Sequence, residues 1–100
     1  MAVTQNTTRS IQAPDDLGLE TRASFREAAM QELASLSDGG ALYVDLGTTF
    51  RVDSAGLSAL MLIQRSAAER GQRVILQHSS EEFRYLLALT ELRDLFELES

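Results

Sequence analysis

The sequence contains no cysteine, one histidine and one proline. Without cysteine there is no disulfide framework, no thiolate metal site and no cysteine nucleophile. The lone histidine, His78, has no second His or Cys at ligand spacing, so the pattern of a metal site is missing. Lysine is absent too: all nine basic residues are arginine, which we read as a trait of genome composition and not of function. No apolar run nears the roughly 20 residues of a membrane-spanning helix, and the N-terminus lacks the basic-then-apolar pattern of a secretion signal. A soluble, cytoplasmic protein without membrane insertion is therefore expected.

What is present is acid and apolar surface. Fifteen carboxylates against nine arginines give a net charge of −6, which opposes binding to nucleic-acid phosphates. In the last twenty residues six carboxylates face only Arg84 and Arg93, so four of the six net charges lie there. One hundred residues, 44% hydrophobic and 24% charged, suit one domain (1–100) able to bury a core. Residues 1–7 are polar and without periodicity, and are expected to be flexible. A small acidic domain of this kind is expected to bind partners and not to catalyse.

Arg9 to Ala13 can form a strand ended by Pro14, with Asp15, Asp16 and Gly18 as a turn. Thr21 is the expected N-cap of a helix to about Leu36, with Phe25, Ala28, Ala29, Glu32, Leu33 and Leu36 on one face. Gly39-Gly40 ends it. Ala41 to Leu46 reads as a strand buried on both faces of a parallel sheet. Phe50 to Val52 looks extended. A second helix runs from Ser54 or Ala55 to Arg70, with Gly71 as its stop and Leu57, Leu60, Met61, Gln64 and Ala67 as its main stripe. Val74 to Leu76 is the next strand. Ser79 and Glu82 have capping-box spacing ahead of a helix that holds Phe83, Leu86, Leu87 and Leu89 inside. Thr90 is expected to cap a last helical turn through Leu95, and Phe96 to Leu98 an edge strand. Alternating strands and helices predict an α/β domain, a mostly parallel or mixed sheet of about four strands with helices packed around it.

Catalytic patterns are missing. No serine sits in a Gly-x-Ser-x-Gly elbow, and neither a P-loop nor a dinucleotide fingerprint is present. Adjacent carboxylates such as Asp15/Asp16 and Glu81/Glu82 suit the positive ends of helices. No catalytic residue, cofactor or metal is predicted, and no enzyme activity.

The informative stretch is Val52-Asp53-Ser54-Ala55-Gly56-Leu57. It sets a serine where an extended segment enters a helix, at free N–H groups and the positive end of the dipole. Phosphorylation there would add about −1.5 to −2 charges and repel a surface that fitted the unmodified form. The plain alternative is an N-cap contributing about 1 kcal/mol. Gly56 would leave the backbone open to a close-approaching partner.

This stretch, with the strand ending in Asp45-Leu46, Arg70-Gly71 and Val74-Ile75-Leu76, resembles a STAS domain, the anti-sigma factor antagonist family, over residues 41–98. The family's Asp-Ser-(Ser/Thr/Ala)-Gly-Leu motif matches without a gap. The resemblance implies a small sheet with helices around it, and phosphorylation of Ser54 by an anti-sigma factor with serine kinase activity. It implies a partner-binding core of Asp53, Ser54, Gly56 and Leu57, with Ala55 and Ser58 as further contacts. Two departures stand out. Only one strand precedes Pro14 where the family has two, and the family's Leu-Asp pair is replaced by Leu17-Gly18, with Asp15 and Asp16 beside it. The short N-terminal part also fits a second role, as the STAS accessory subunit of a lipid-trafficking ABC transporter bound to its ATPase subunit. A third is an unswitched scaffold, monomer or weak homodimer, self-associating through Leu95, Phe96 and Leu98.

Overall fold

The protein is described by a computed structural model that covers residues 7–99. The expected flexible segment falls almost wholly on residues 1–6, outside the described residues. The elements, in chain order, are β1 (Thr8–Gln12), β2 (Asp16–Leu17), α1 (Arg22–Ser35), β3 (Ala41–Asp45), β4 (Arg51–Val52), α2 (Ser54–Glu69), β5 (Arg73–Gln77), α3 (Glu81–Leu89), a 3-10 turn (Arg93–Leu95) and β6 (Glu97–Leu98).

Four strands form a wholly parallel sheet in the order β1-β3-β5-β6, and β2 and β4 form a separate parallel pair. Each crossover steps in the same direction across the larger sheet. Right-handed connections of that kind place α1, α2 and α3 on one face. Leu42, Val44, Val74 and Leu76 point to that face, and there they join Phe25, Leu33, Leu60, Ile63, Phe83 and Leu87 in one core. A fully buried side chain of this size contributes about 1.5–3 kcal/mol, so this layer holds the domain together.

Among the described residues no helix lies over the opposite face. The burial of β3 on both sides holds only in part: Tyr43 is half-buried and lies level with buried Ile75 and exposed Glu97. Ala41 and Ile75, only 5% exposed, are buried on this second face although both lie outside the helix-side core. Arg73 and Glu97 close one edge of this face as an ion pair.

Several local expectations shift by a residue or change role. Asp16 and Leu17 are not part of a turn but pair in register with Arg51 and Val52. Thr21 stands at the N-cap of α1 without capping it: its hydroxyl donates to the Asp16 carbonyl (2.8 Å) and accepts from the Gly18 N–H (3.0 Å). The buried stripe of α1 is narrow, Phe25, Ala29 and Leu33, so Ala28 is exposed, and half-buried Glu32 pairs with Arg9. Ser80, not Ser79, caps α3 by accepting from the Phe83 N–H (3.0 Å), while Ser79 accepts from Arg84. Leu89 is exposed, because α3 buries only Phe83 and Leu87 fully.

Both later helices end alike. Gly71 (φ 68°) follows α2, where Gln72 N–H bonds to the Ala67 carbonyl (2.8 Å) and Gly71 N–H to Ala68 (3.1 Å). Glu91 (φ 58°) follows α3 with the same pattern, Leu92 to Leu87 (2.9 Å) and Glu91 to Ala88 (3.3 Å). Thr90 thus closes α3 instead of opening the next turn, and its hydroxyl donates to the Leu86 carbonyl (2.8 Å). Buried Gln72 donates from Nε2 to the carbonyls of Leu33 (3.0 Å) and Leu36 (3.1 Å), satisfying the end of α1.

Candidate functional site

The strand–helix junction is held by Asp53. Its backbone is extended (φ −90°, ψ −177°), and Oδ1 accepts from the Gly56 N–H (2.9 Å). Asp53, not Ser54, is therefore the N-cap of α2. Oδ2 accepts from the Leu19 N–H (3.2 Å), and the Asp53 N–H donates to the Leu17 carbonyl (3.2 Å). One carboxylate thus ties the loop between β2 and α1 to the first turn of α2. The hydrogen bond from Gly56 N–H lowers the Asp53 pKa most, burial opposes it, and the N–H groups of Leu19 and Ala55 and the charge of Arg51 lower it further. Asp53 remains an anion over the physiological range.

Beneath it two glycines let β2 lie against α2. A Cβ on Gly56 would sit 2.1 Å from the Leu17 carbonyl oxygen, and one on Gly18 would sit 2.5 Å from Asp53 Oδ2. The opening at Gly56 is filled from within, by the backbone of Leu17. At Gly18, where the family pattern has aspartate, Asp53 itself places a carboxylate oxygen. Sequence reasoning missed the pairing of β2 with β4, because a two-residue strand carries no periodicity. The signal available was Gly18 and Gly56, which periodicity leaves without a role.

Ser54 is the first residue of α2 and exposed, and its hydroxyl has no hydrogen-bond partner among the described residues. Ser58, one turn on, is exposed as well; Asp53 and Ala55 are half-buried. Gly56 and Leu57 are buried, so they shape the junction from below while Asp53, Ser54, Ala55 and Ser58 form its surface. On one side lies an acidic hollow lined by Asp16, Glu20 and Asp53, in which Arg51 pairs with Asp16 (2.9 Å).

Among the described residues no general base is bonded to Ser54. The imidazole of His78 is engaged by Asp45 (Nδ1 to Oδ1, 2.9 Å), which lowers the Asp45 pKa together with the N–H of Gly47. Among the described residues no group of three His, Cys, Asp or Glu could hold a metal ion, and no helix is long and apolar enough to cross a membrane. Of the residues named for self-association, Phe96 is buried in the core, Leu98 packs against it and only Leu95 is exposed.

A four-stranded parallel sheet with helices on one face, and an aspartate-capped helix that presents an exposed serine, fit a STAS domain. The chain belongs to that family: the family model described as "Mlab, STAS domain" matches residues 3–98. STAS domains are binding and regulatory modules. Solved structures agree on the fold. The NMR structure of the protein TM1081 superposes with a TM-score of 0.79 at 18% identity, covering 98% of this chain and 78% of that one. The crystal structure of TM1081 from Thermotoga maritima, described there as a candidate anti-sigma factor antagonist, gives 0.75 at 20% identity over 91% and 79%. A sulfate transporter family protein from Wolinella succinogenes gives 0.70 at 14% identity over 93% and 74%. No curated protein sequence matches the chain.

Proposed function

We propose that this domain is a phosphorylation-switched binding module of the anti-sigma factor antagonist type. In this reading unphosphorylated Ser54 and its surroundings bind an anti-sigma factor with serine kinase activity, which releases a sigma factor and so regulates transcription in the cytoplasm. The kinase then transfers the γ-phosphoryl group of ATP to Ser54 Oγ, ADP departs, and the added charge ends the contact. The domain is substrate and ligand, with no catalysis of its own.

The observation that carries this reading is the division of labour at the junction. Asp53 does the capping, so Ser54 has no structural task, stands exposed and offers a hydroxyl without a hydrogen-bond partner among the described residues. The likeness in fold to a candidate anti-sigma factor antagonist supports it. The test is incubation with the kinase partner and ATP, followed by mass spectrometry. Phosphate on Ser54, lost in Ser54→Ala, is the expected result; phosphate that persists in that variant, or maps elsewhere, refutes it.

A second reading has its own support. The matching family model carries the description "Mlab, STAS domain", and among the described residues a single strand precedes Pro14. Both favour an accessory subunit of a lipid-trafficking ABC transporter, with the same surface docked on the ATPase subunit. Co-purification with an ATPase and a permease, without a sigma regulator, selects this reading over the first.

A further inference from the structure

The chain is acidic, yet the surface that continues from Ser54 along α2 is not. Two hollows flank the ridge formed by Ser58 and Leu62. One lies between α1 and α2 and is lined by Arg22, Arg26 and Ala55 among others; the second runs from Ser58 past Arg65 to Leu95. Neither lining contains a carboxylate. Leu62 and Leu95 are 40% and 46% exposed, so the ridge and the far hollow are apolar at their centres.

The arginines here are uncommitted. Arg9, Arg51 and Arg73 are held in ion pairs with Glu32, Asp16 and Glu97, and Arg84 donates to Ser79. That leaves Arg22, Arg26, Arg65, Arg70 and Arg93 without an ion pair or side-chain hydrogen bond among the described residues. Three of these five, Arg22, Arg26 and Arg65, line the hollows beside the Ser58–Leu62 ridge. Guanidinium groups around a central apolar strip complement a segment with the opposite arrangement, apolar residues flanked by carboxylates.

We propose that this α1–α2 surface docks an acidic amphipathic helix of a partner protein, its apolar side on Leu62 and Leu95 and its carboxylates on Arg22, Arg26 and Arg65. This inference rests on the reading of Ser54 as a switch and names the chemistry of the partner that the switch controls. Ser54 and Ser58 are one turn apart on α2, so a phosphate at Ser54 stands at the rim of the docking surface. There it repels the carboxylates of the arriving helix and draws on the same arginines. The sign of the switch follows: modification weakens binding.

The test uses the whole chain and two synthetic helical peptides, with leucines on one side flanked by glutamates in the first and by lysines in the second. At low salt the glutamate peptide is expected to bind roughly tenfold more tightly, since several exposed charge pairs act together. It should perturb the amide signals of Arg22, Arg26, Ser58 and Leu62. The triple variant Arg22→Glu, Arg26→Glu, Arg65→Glu, exposed at all three positions and checked for unchanged melting, should reverse the preference. Protein carrying phosphoserine at position 54 should bind the glutamate peptide several-fold more weakly. Equal binding of the two peptides, binding of neither, an unreversed preference or perturbation confined to the open sheet face overturns the proposal. None of these measurements needs a kinase or ATP, so their failure is separable from failure to find phosphate on Ser54.

Discussion

Replacing Gly56 with alanine distinguishes two roles for this glycine by the sign of the effect. Were Gly56 merely a permissive residue in the first turn of α2, alanine would stabilise the helix by about 0.5–1 kcal/mol. The tertiary contact demands the opposite. The new Cβ would meet the Leu17 carbonyl oxygen at 2.1 Å, its carbon at 2.7 Å and Cγ at 2.9 Å, all inside the separation that real Cβ atoms show. Two of these atoms are backbone, so no rotamer change relieves the clash; β2 must withdraw by roughly 1 Å to restore ordinary van der Waals contact. That stretches the hydrogen bond from Asp53 N–H to the Leu17 carbonyl and the one from Leu19 N–H to Asp53. Overpacking costs about 1–3 kcal/mol and a weakened hydrogen bond about 1 more, against the smaller helix gain. The net expectation is a loss of about 1–3 kcal/mol. For a domain of this size that lowers Tm by roughly 5–20 °C. Urea unfolding followed by circular dichroism gives the free energy, with Ser58→Ala, exposed on the same helix, as the control expected to change little. A Gly56→Ala protein as stable as the wild type, or more so, would refute the packing of β2 on α2 described above.

The remaining expectations are smaller. Ser54→Ala should leave stability within about 0.5 kcal/mol of the wild type by thermal melting, because Asp53 holds the cap; a larger loss would return the capping role to the serine. Asp53→Ala should lower Tm clearly and Asp53→Asn much less, since asparagine also caps. The pKa of Asp53 is lower in the folded state, so its contribution is complete above the ordinary carboxylate range and fades as pH falls below about 4. Wild type and Asp53→Asn should therefore converge in stability in acid, and a gap that widens on acidification contradicts this. Glu91→Gly should stabilise by about 0.5–1 kcal/mol, as glycine carries the positive φ after α3 without steric cost; a loss in urea midpoint counts against it.

Much of the candidate site was legible in the sequence. Asp53-Ser54-Ala55-Gly56-Leu57 at the entry to a helix places a serine on a dipole's positive end, and the structure has it there. Short apolar runs located β3 and β5, and an apolar stripe at helical spacing located α2, each to within a residue or two, because burial fixes where apolar letters fall. Less visible was which of two adjacent residues does the capping. Asp53 and Ser54 are both good caps, and only backbone dihedrals and the bond to Gly56 N–H assign the role. The same ambiguity arose at Ser79 and Ser80.

The residue pattern alone determined an α/β domain with a serine exposed where a strand enters a helix, since short-range periodicity and terminal chemistry are local properties. Tertiary structure decided the rest. It brought Leu17 from a two-residue strand onto Gly56, left one face of a parallel sheet without a helix among the described residues, and set Arg22 and Arg26 of α1 beside Ser58 of α2. Each of these depends on which segments meet across long stretches of chain. Such encounters are settled by the packing of the whole core and leave no period in the sequence to announce them.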